Sequence, residues 1–76
     1  MAKDNFEYEQ VQKAFGERIR KLREAKGMSL LDLGVITGLE KTAISRIENG
    51  RTNVTLRTVT KLARGLNTDL LELFKE

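Results

Sequence analysis

The 76-residue sequence contains no cysteine, no histidine and no proline. Without cysteine, the chain has no disulfide, no thiolate nucleophile and no cysteine ligand for a metal ion. Without histidine, it lacks the commonest general base and the commonest metal ligand. We therefore expect no catalytic residue and no metal site, and we do not expect an enzyme.

Long apolar segments are also missing. No run of apolar residues approaches the roughly 18 that a membrane-spanning helix needs, and no segment has the apolar core of a signal peptide. The sequence therefore predicts a cytoplasmic protein with no membrane contact.

The charge is unevenly distributed along the chain. Residues 1–12 and 65–76 each carry a net charge of −2, whereas the residues between them hold twelve basic against five acidic side chains, a net charge of +7. A basic centre suits a polyanionic partner. The alternative is an ordinary solvated surface that carries both signs.

Apolar residues at steps of three and four predict a long first helix from near residue 6 to Lys26, stopped by Gly27. Its apolar stripe consists of Tyr8, Val11, Phe15, Ile19 and Leu22.

Ser29 and Asp32 resemble a capping box, which predicts a second helix through about Ile36. Gly38 then stands in a turn that needs a positive φ, a conformation that glycine adopts without strain.

The third helix is predicted from about Lys41 to Asn49, with Ile44 and Ile47 on its buried face and Gly50 at its C-terminal end.

Two further helices complete the prediction. Thr55 caps a helix that ends near Gly65, and Asp69 with Glu72 is read as a second capping box before a terminal helix of about Leu70–Lys75. Because no alternating strand pattern occurs, we expect one compact all-α domain of five helices over residues 1–76.

From about Phe15 to Phe74, the sequence resembles the phage-repressor and Cro type of helix-turn-helix domain, also called the xenobiotic-response-element family. The resemblance rests on FGERIRKLREAKGMS, on Gly38 in the turn, on ISRIENG and on LARGLNTDLLELF. It implies a lambda-repressor-like fold of five helices, with residues 15–74 as the core and residues 1–14 as an extension of the first helix. It also implies binding of double-stranded DNA by a homodimer, and regulation of transcription without a cofactor.

The resemblance assigns roles to individual residues. Base contacts are expected from the third helix, and phosphate contacts from the start of the second helix and from the end of the third helix with the following loop. An ion pair is expected to join the first and third helices. The base-contact residues are Lys41, Thr42, Ser45 and Arg46; the phosphate-contact residues are Ser29, Asn49, Arg51 and Asn53; the ion pair is Arg23 with Glu48.

Leu71 lies off the stripe formed by Leu70, Leu73 and Phe74, which makes it a candidate contact with a second subunit. Fraying of the terminus is an equal alternative.

Two positions depart from the family pattern. Leu30 stands where a glutamine normally touches DNA, so one anchoring contact is expected to be lost. Glu40 stands where a small polar cap is usual. Its carboxylate faces a polyanion, and it either accepts a bond from cytosine N4 or orients Lys41 or Arg46 by pairing with it.

Leu31, Val35 and Ile36 place apolar side chains at positions that are normally polar. They are either buried beneath the first helix with Phe6 and Tyr8, or they contact a partner protein.

Two functions follow. The first is a DNA-binding repressor or autoregulator that acts as a homodimer on a palindromic operator. The alternative is a protein-interaction adaptor or antitoxin-like partner that uses the apolar face of the second helix.

Overall fold

In a computed structural model of the protein, residues 3–75 are described, with side chains from Tyr8 to Lys75. Within residues 3–75 the chain is helical and has no strand, which confirms the all-α class. The last element is a 3-10 helix, so the count of five α-helices is not confirmed. The elements are α1 (Lys3–Ala25), α2 (Leu30–Thr37), α3 (Lys41–Glu48), α4 (Leu56–Gly65) and the 3-10 helix Leu70–Phe74.

Local signals in the sequence determine most helix ends. The Ser29 hydroxyl accepts a hydrogen bond from the Asp32 amide, and the Asp32 carboxylate accepts one from the Ser29 amide, both at 2.9 Å. Thr55 caps α4 by accepting a bond from the Thr58 amide at 3.1 Å. Gly38 follows α2 with φ 76°, where a residue with a Cβ would be strained.

The second capping box, predicted at Asp69 and Glu72, is wrong. The Asp69 side chain makes no cap hydrogen bond. The Glu72 carboxylate instead accepts bonds from Arg18 at 3.0 Å and from Lys75 at 2.8 Å. Two cations within reach outcompete a neutral backbone amide for the same carboxylate.

The core is enclosed by all four α-helices and the 3-10 helix: α1 packs against α3 and the 3-10 helix, and α4 packs against α2 and the 3-10 helix, while α2 also contacts α3. Six large side chains in it have an exposed fraction of zero, and burial on this scale is the main source of a small domain's stability. These side chains are Ile19, Leu33, Ile44, Leu62, Leu66 and Leu73.

The predicted α1 stripe is buried only from Phe15 onward. Tyr8 and Val11 are 54% and 55% exposed, because they border an open groove that they share with Phe15 and Phe74. At the other end of the chain, Phe74 is 53% exposed and touches the core through the Phe15 ring, at a centroid distance of 5.3 Å.

Of the two alternatives for the apolar patch on α2, burial beneath the first helix is wrong. Leu31, Val35 and Ile36 are 62%, 75% and 59% exposed. The reason is geometric, because an eight-residue helix turns one narrow face inward, and on α2 Leu33 and Thr37 occupy it. The Phe6 side chain, which this prediction also invoked, lies outside the described side chains.

Over residues 3–75, no helix is both long and apolar enough to cross a membrane.

Candidate nucleic-acid interface

α3 separates its side chains into an inner and an outer face. Ile44, Ile47 and Glu48 are buried, whereas Lys41, Thr42 and Arg46 are exposed and Ser45 is half-buried. Residues four apart are neighbours on a helix, so Lys41 lies beside Ser45 and Thr42 beside Arg46. The four residues predicted to contact bases therefore share one outward surface, which we call the α3 outer face.

The two cations of this face are available to a ligand. Among the side chains from Tyr8 to Lys75, neither Lys41 nor Arg46 has a carboxylate within ion-pair distance. Arg46 therefore keeps its five N–H donors for an external acceptor such as a phosphate or a guanine edge.

The turn between α2 and α3 fixes the orientation of α3 relative to α2. The buried Thr37 hydroxyl donates to the Leu33 carbonyl at 2.7 Å and accepts from the Leu39 amide at 3.2 Å. A Cβ on Gly34 would lie 2.8 Å from the Leu39 carbonyl oxygen, so only glycine permits this close approach. The dual role of Thr37 was not predicted, because nothing in the sequence distinguishes it from any other turn threonine.

A second glycine brings α1 against the end of α3. A Cβ on Gly16 would overlap the Ile47 carbonyl oxygen and would lie 2.8 Å from that of Glu48. α1 therefore supports the inner side of α3 by direct backbone contact.

Arg23 and Glu48 form a buried ion pair between α1 and α3. Arg23 Nε lies 2.7 Å from Glu48 Oε2, and Arg23 Nη2 lies 3.0 Å from Oε1. Arg23 Nη1 also donates to the Met28 carbonyl at 2.7 Å, which ties in the segment before α2. The hydrogen bonds from Arg23 to Glu48 raise the pKa of the Arg23 guanidinium. The pair thus fixes α3 relative to α1 and to the segment before α2.

Arg20 extends this arrangement to the surface, although it was not among the predicted site residues. Arg20 Nε lies 3.4 Å from Glu48 Oε1, and Nη2 lies 3.4 Å from Asn49 Oδ1. Its side chain is 46% exposed. A signal was present, since Arg20 stands three residues before Arg23 and so lies on the same side of α1.

The four predicted phosphate-contact residues differ in availability. Arg51 is exposed and has no ion-pair partner among the described side chains. Asn49 donates to the Ser45 carbonyl at 2.8 Å, and Asn53 accepts from Gln12 at 2.9 Å. Both amides are therefore partly engaged within the chain.

Ser29 lies at the start of α2 beside a carboxylate. Bonds from the Ser29 amide and hydroxyl lower the pKa of Asp32, which keeps that group ionised. A phosphate that docked at this helix end would meet the Asp32 charge. Leu30, the neighbour that departs from the family pattern, is half-buried and packs against the core.

The surface around the chain terminus is apolar. Leu70, Leu71 and Phe74 are 43%, 75% and 53% exposed.

No cluster of three or more histidine, cysteine, aspartate or glutamate side chains suited to a metal ion occurs in the described part of the chain.

Comparison with known proteins gives consistent results. The family model HTH_3, described as helix-turn-helix, matches residues 19–73. The control protein C.MunI from Mycoplasma sp is 38% identical over 63 residues, covering 82% of this chain and 85% of that protein. The transcriptional repressor RghR from Bacillus subtilis is 41% identical over 54 residues, which cover 70% of this chain but 40% of that protein.

Solved structures also match. The crystal structure of the restriction-modification controller protein C.AhdI from Aeromonas hydrophila is 40% identical to this chain, with a TM-score of 0.81. The match covers 83% of this chain and 96% of that one.

Proposed function

Because the chain belongs to the helix-turn-helix family HTH_3, we propose that it is a sequence-specific regulator of transcription that binds double-stranded DNA. We propose a repressor or autoregulator that acts in the cytoplasm as a homodimer on a palindromic operator. The chain is 40% identical to a restriction-modification controller protein, which favours control of restriction-modification genes as the specific form of this function. The family and these relatives are DNA-binding regulators and not enzymes.

The observation that carries the proposal is the α3 outer face. Lys41, Thr42 and Arg46 are exposed on a helix whose opposite side is anchored in the core. The major groove admits an α-helix, and Arg or Lys can donate to guanine O6 and N7. We assign guanine contacts to Arg46 and Lys41 and contacts with a thymine methyl or a base edge to Thr42. Ser45, half-buried and next to Asn49, is the weakest member of the set.

Phosphate contacts would hold the helix in register. Arg51 is the strongest candidate because its charge is exposed in the loop directly after α3. Asn49 has one fewer free donor, because its amide group donates to the Ser45 carbonyl. Ser29 and Asn53 accept the side-chain bonds that they make within the chain, so they keep donors for a phosphate but bring no charge to it. We add Arg20, whose exposed guanidinium lies at the C-terminal end of α3.

A domain division and a dimer belong to the same proposal. We propose that residues 15–74 are the family-like core and that residues 1–14, of which the structure describes 3–14, are an extension of the first helix. The onset of burial at Phe15 supports this division. Leu71, 75% exposed, is the proposed subunit contact. A two-fold dimer would present its recognition helices about 34 Å apart, in successive major grooves. Sedimentation of the protein and of Leu71→Asp at tens of micromolar tests this, with a dimer mass expected only for the first.

Selection of bound sequences from a random duplex pool, followed by fluorescence anisotropy titration, tests the DNA-binding function. We expect enrichment of a palindrome and an affinity that falls steeply with salt. Binding that is indifferent to both sequence and salt contradicts the proposal.

A second candidate is the protein-interaction adaptor or antitoxin-like partner. The exposure of Leu31, Val35 and Ile36 is the one observation in its favour, and no comparison supports it. Capture of host proteins with and without nuclease separates the two functions. An adaptor keeps its partner after nuclease treatment and loses it when Val35 is replaced by aspartate.

A further inference from the structure

Glu40 stands at the start of α3, and its carboxylate makes no cap hydrogen bond to the helix. Its backbone is extended, with φ −74° and ψ 147°, and its carbonyl accepts the first helical bond from Ile44 at 3.0 Å. Its side chain is exposed. Glu40 therefore initiates α3 with its main chain alone.

Internal roles for this carboxylate find no support in its contacts. Among the side chains from Tyr8 to Lys75, Glu40 has no cation within ion-pair distance, and this includes its neighbours Lys41 and Arg46. The other acidic residue of the α3 segment, Glu48, is buried and paired with Arg23. Glu40 is thus the acid that α3 presents to an approaching ligand.

The chemistry of an ionised carboxylate restricts what it can face in DNA. It only accepts hydrogen bonds, and it is repelled by phosphates and by the acceptor atoms of guanine and thymine edges. Cytosine N4 is a donor without an adjacent acceptor on the same base, whereas adenine presents its N6 donor beside the N7 acceptor. Cytosine is therefore the base that best matches Glu40.

We propose that Glu40 is a specificity-determining residue that selects a base pair with cytosine at one position of each half-site. This inference rests on the proposed function. Glu40 lies directly before Lys41 and Thr42, so the position it reads adjoins those read by the first turn of α3. Its charge weakens binding to every other sequence, and it therefore sharpens discrimination at the expense of overall affinity.

The inference predicts a change of base preference and not only a change of affinity. In Glu40→Gln, the amide presents both a donor and an acceptor, which match adenine N7 and N6. We therefore expect the preferred base to change from cytosine to adenine at one position. In Glu40→Ala, we expect the preference at that position to disappear without replacement.

The experiment measures affinities of the wild type, Glu40→Gln and Glu40→Ala for the selected duplex and for all single-base variants of one half-site. Glu17→Gln is the matched control, because it removes the same charge from an exposed position on α1. The wild type should prefer cytosine at the Glu40 position by roughly five- to tenfold, the lower range for a single base contact. Glu17→Gln should bind all duplexes more tightly with its base preferences unchanged, because it removes only a charge. Glu40→Gln should bind more tightly to duplexes that carry another base at the Glu40 position, and it should lose the preference for cytosine there.

The outcomes separate this inference from the function on which it rests. A wild type that selects a palindrome, combined with unchanged base preferences in both Glu40 variants, overturns the role of Glu40 and leaves the DNA-binding function intact. A wild type that is indifferent to sequence overturns both.

Discussion

Removing the Glu48 charge is expected to cost a large share of the protein's stability. Arg23 and Glu48 are 8% and 4% exposed, and two hydrogen bonds of 2.7 and 3.0 Å join them. In Glu48→Gln, the side-chain volume is retained, but one Arg23 donor would face an amide NH2 group instead of an oxygen. The buried guanidinium then has two neutral acceptors, the remaining glutamine oxygen and the Met28 carbonyl, in place of the carboxylate.

The magnitude follows from the burial of the pair. Breaking a buried ion pair by removing one partner costs about 3–5 kcal/mol. A chain of 76 residues has a free energy of unfolding of about 4–11 kcal/mol in total. A loss of about 3 kcal/mol corresponds to a Tm lower by about 12–24 °C for a domain of this size.

Urea denaturation followed by circular dichroism measures the effect. The control is Glu24→Gln, because Glu24 lies 3.8 Å from Arg23 but is 61% exposed, and its loss should change stability by less than about 0.5 kcal/mol. The double variant Arg23→Met with Glu48→Leu removes both charges. Its loss in free energy of unfolding should be smaller than the sum of the losses in Arg23→Met and Glu48→Leu measured separately. A cost below about 1 kcal/mol for Glu48→Gln, or a double variant equal to the sum of the singles, would refute the reasoning.

Three further predictions concern the DNA contacts, the helix contact and the pH dependence. Arg46→Ala should reduce discrimination between bases, whereas Arg51→Ala should weaken all duplexes alike and lower the salt slope by about one unit; equal effects in anisotropy titrations contradict the assignment. Gly16→Ala should cost about 3 kcal/mol by forcing α1 from α3, against about 1 kcal/mol for Gly27→Ala, which meets only backbone strain at φ 68°; denaturation midpoints that coincide would contradict this. Because its pKa is lowered from 3.8, Asp32 stabilises the fold above that pH, and the stabilisation is lost as the pH falls through the lowered value. Thermal melts of Asp32→Asn should therefore show a deficit near neutral pH that closes in acid, and a deficit independent of pH would contradict the capping role.

Local chemistry explains what the sequence could predict about the fold. Ser29 with Asp32, Gly38 and Thr55 each act within four residues, so their roles were predictable from spacing alone. The same spacing at Asp69 misled, because Glu72 bonds to Arg18, which is 54 residues away in the chain. A spacing rule cannot include a distant competitor.

Long-range contacts explain most of what was missed. Arg20 reaches Glu48 and Asn49 across 28 and 29 residues of chain, and Gly16 contacts the end of α3 through backbone atoms. Such contacts depend on how helices cross, which periodicity does not determine. The sequence left the exposure of Val35 open for a related reason, since an apolar side chain indicates a preference for burial but does not identify a neighbour that covers it.

The DNA-contact residues remain predictions of a different kind. Spacing and resemblance identified Lys41, Thr42 and Arg46, and the fold brings them to one exposed face. Which base each one reads depends on atoms of the duplex, which neither the sequence nor the fold contains.

The most direct test of the central claim is a map of NMR chemical-shift changes as a selected duplex is added to the labelled protein. If the α3 outer face enters the major groove, the largest changes will occur at Lys41, Thr42 and Arg46, with smaller ones at Arg51. Large changes confined to Leu31, Val35 and Ile36, with α3 unaffected, would contradict the account.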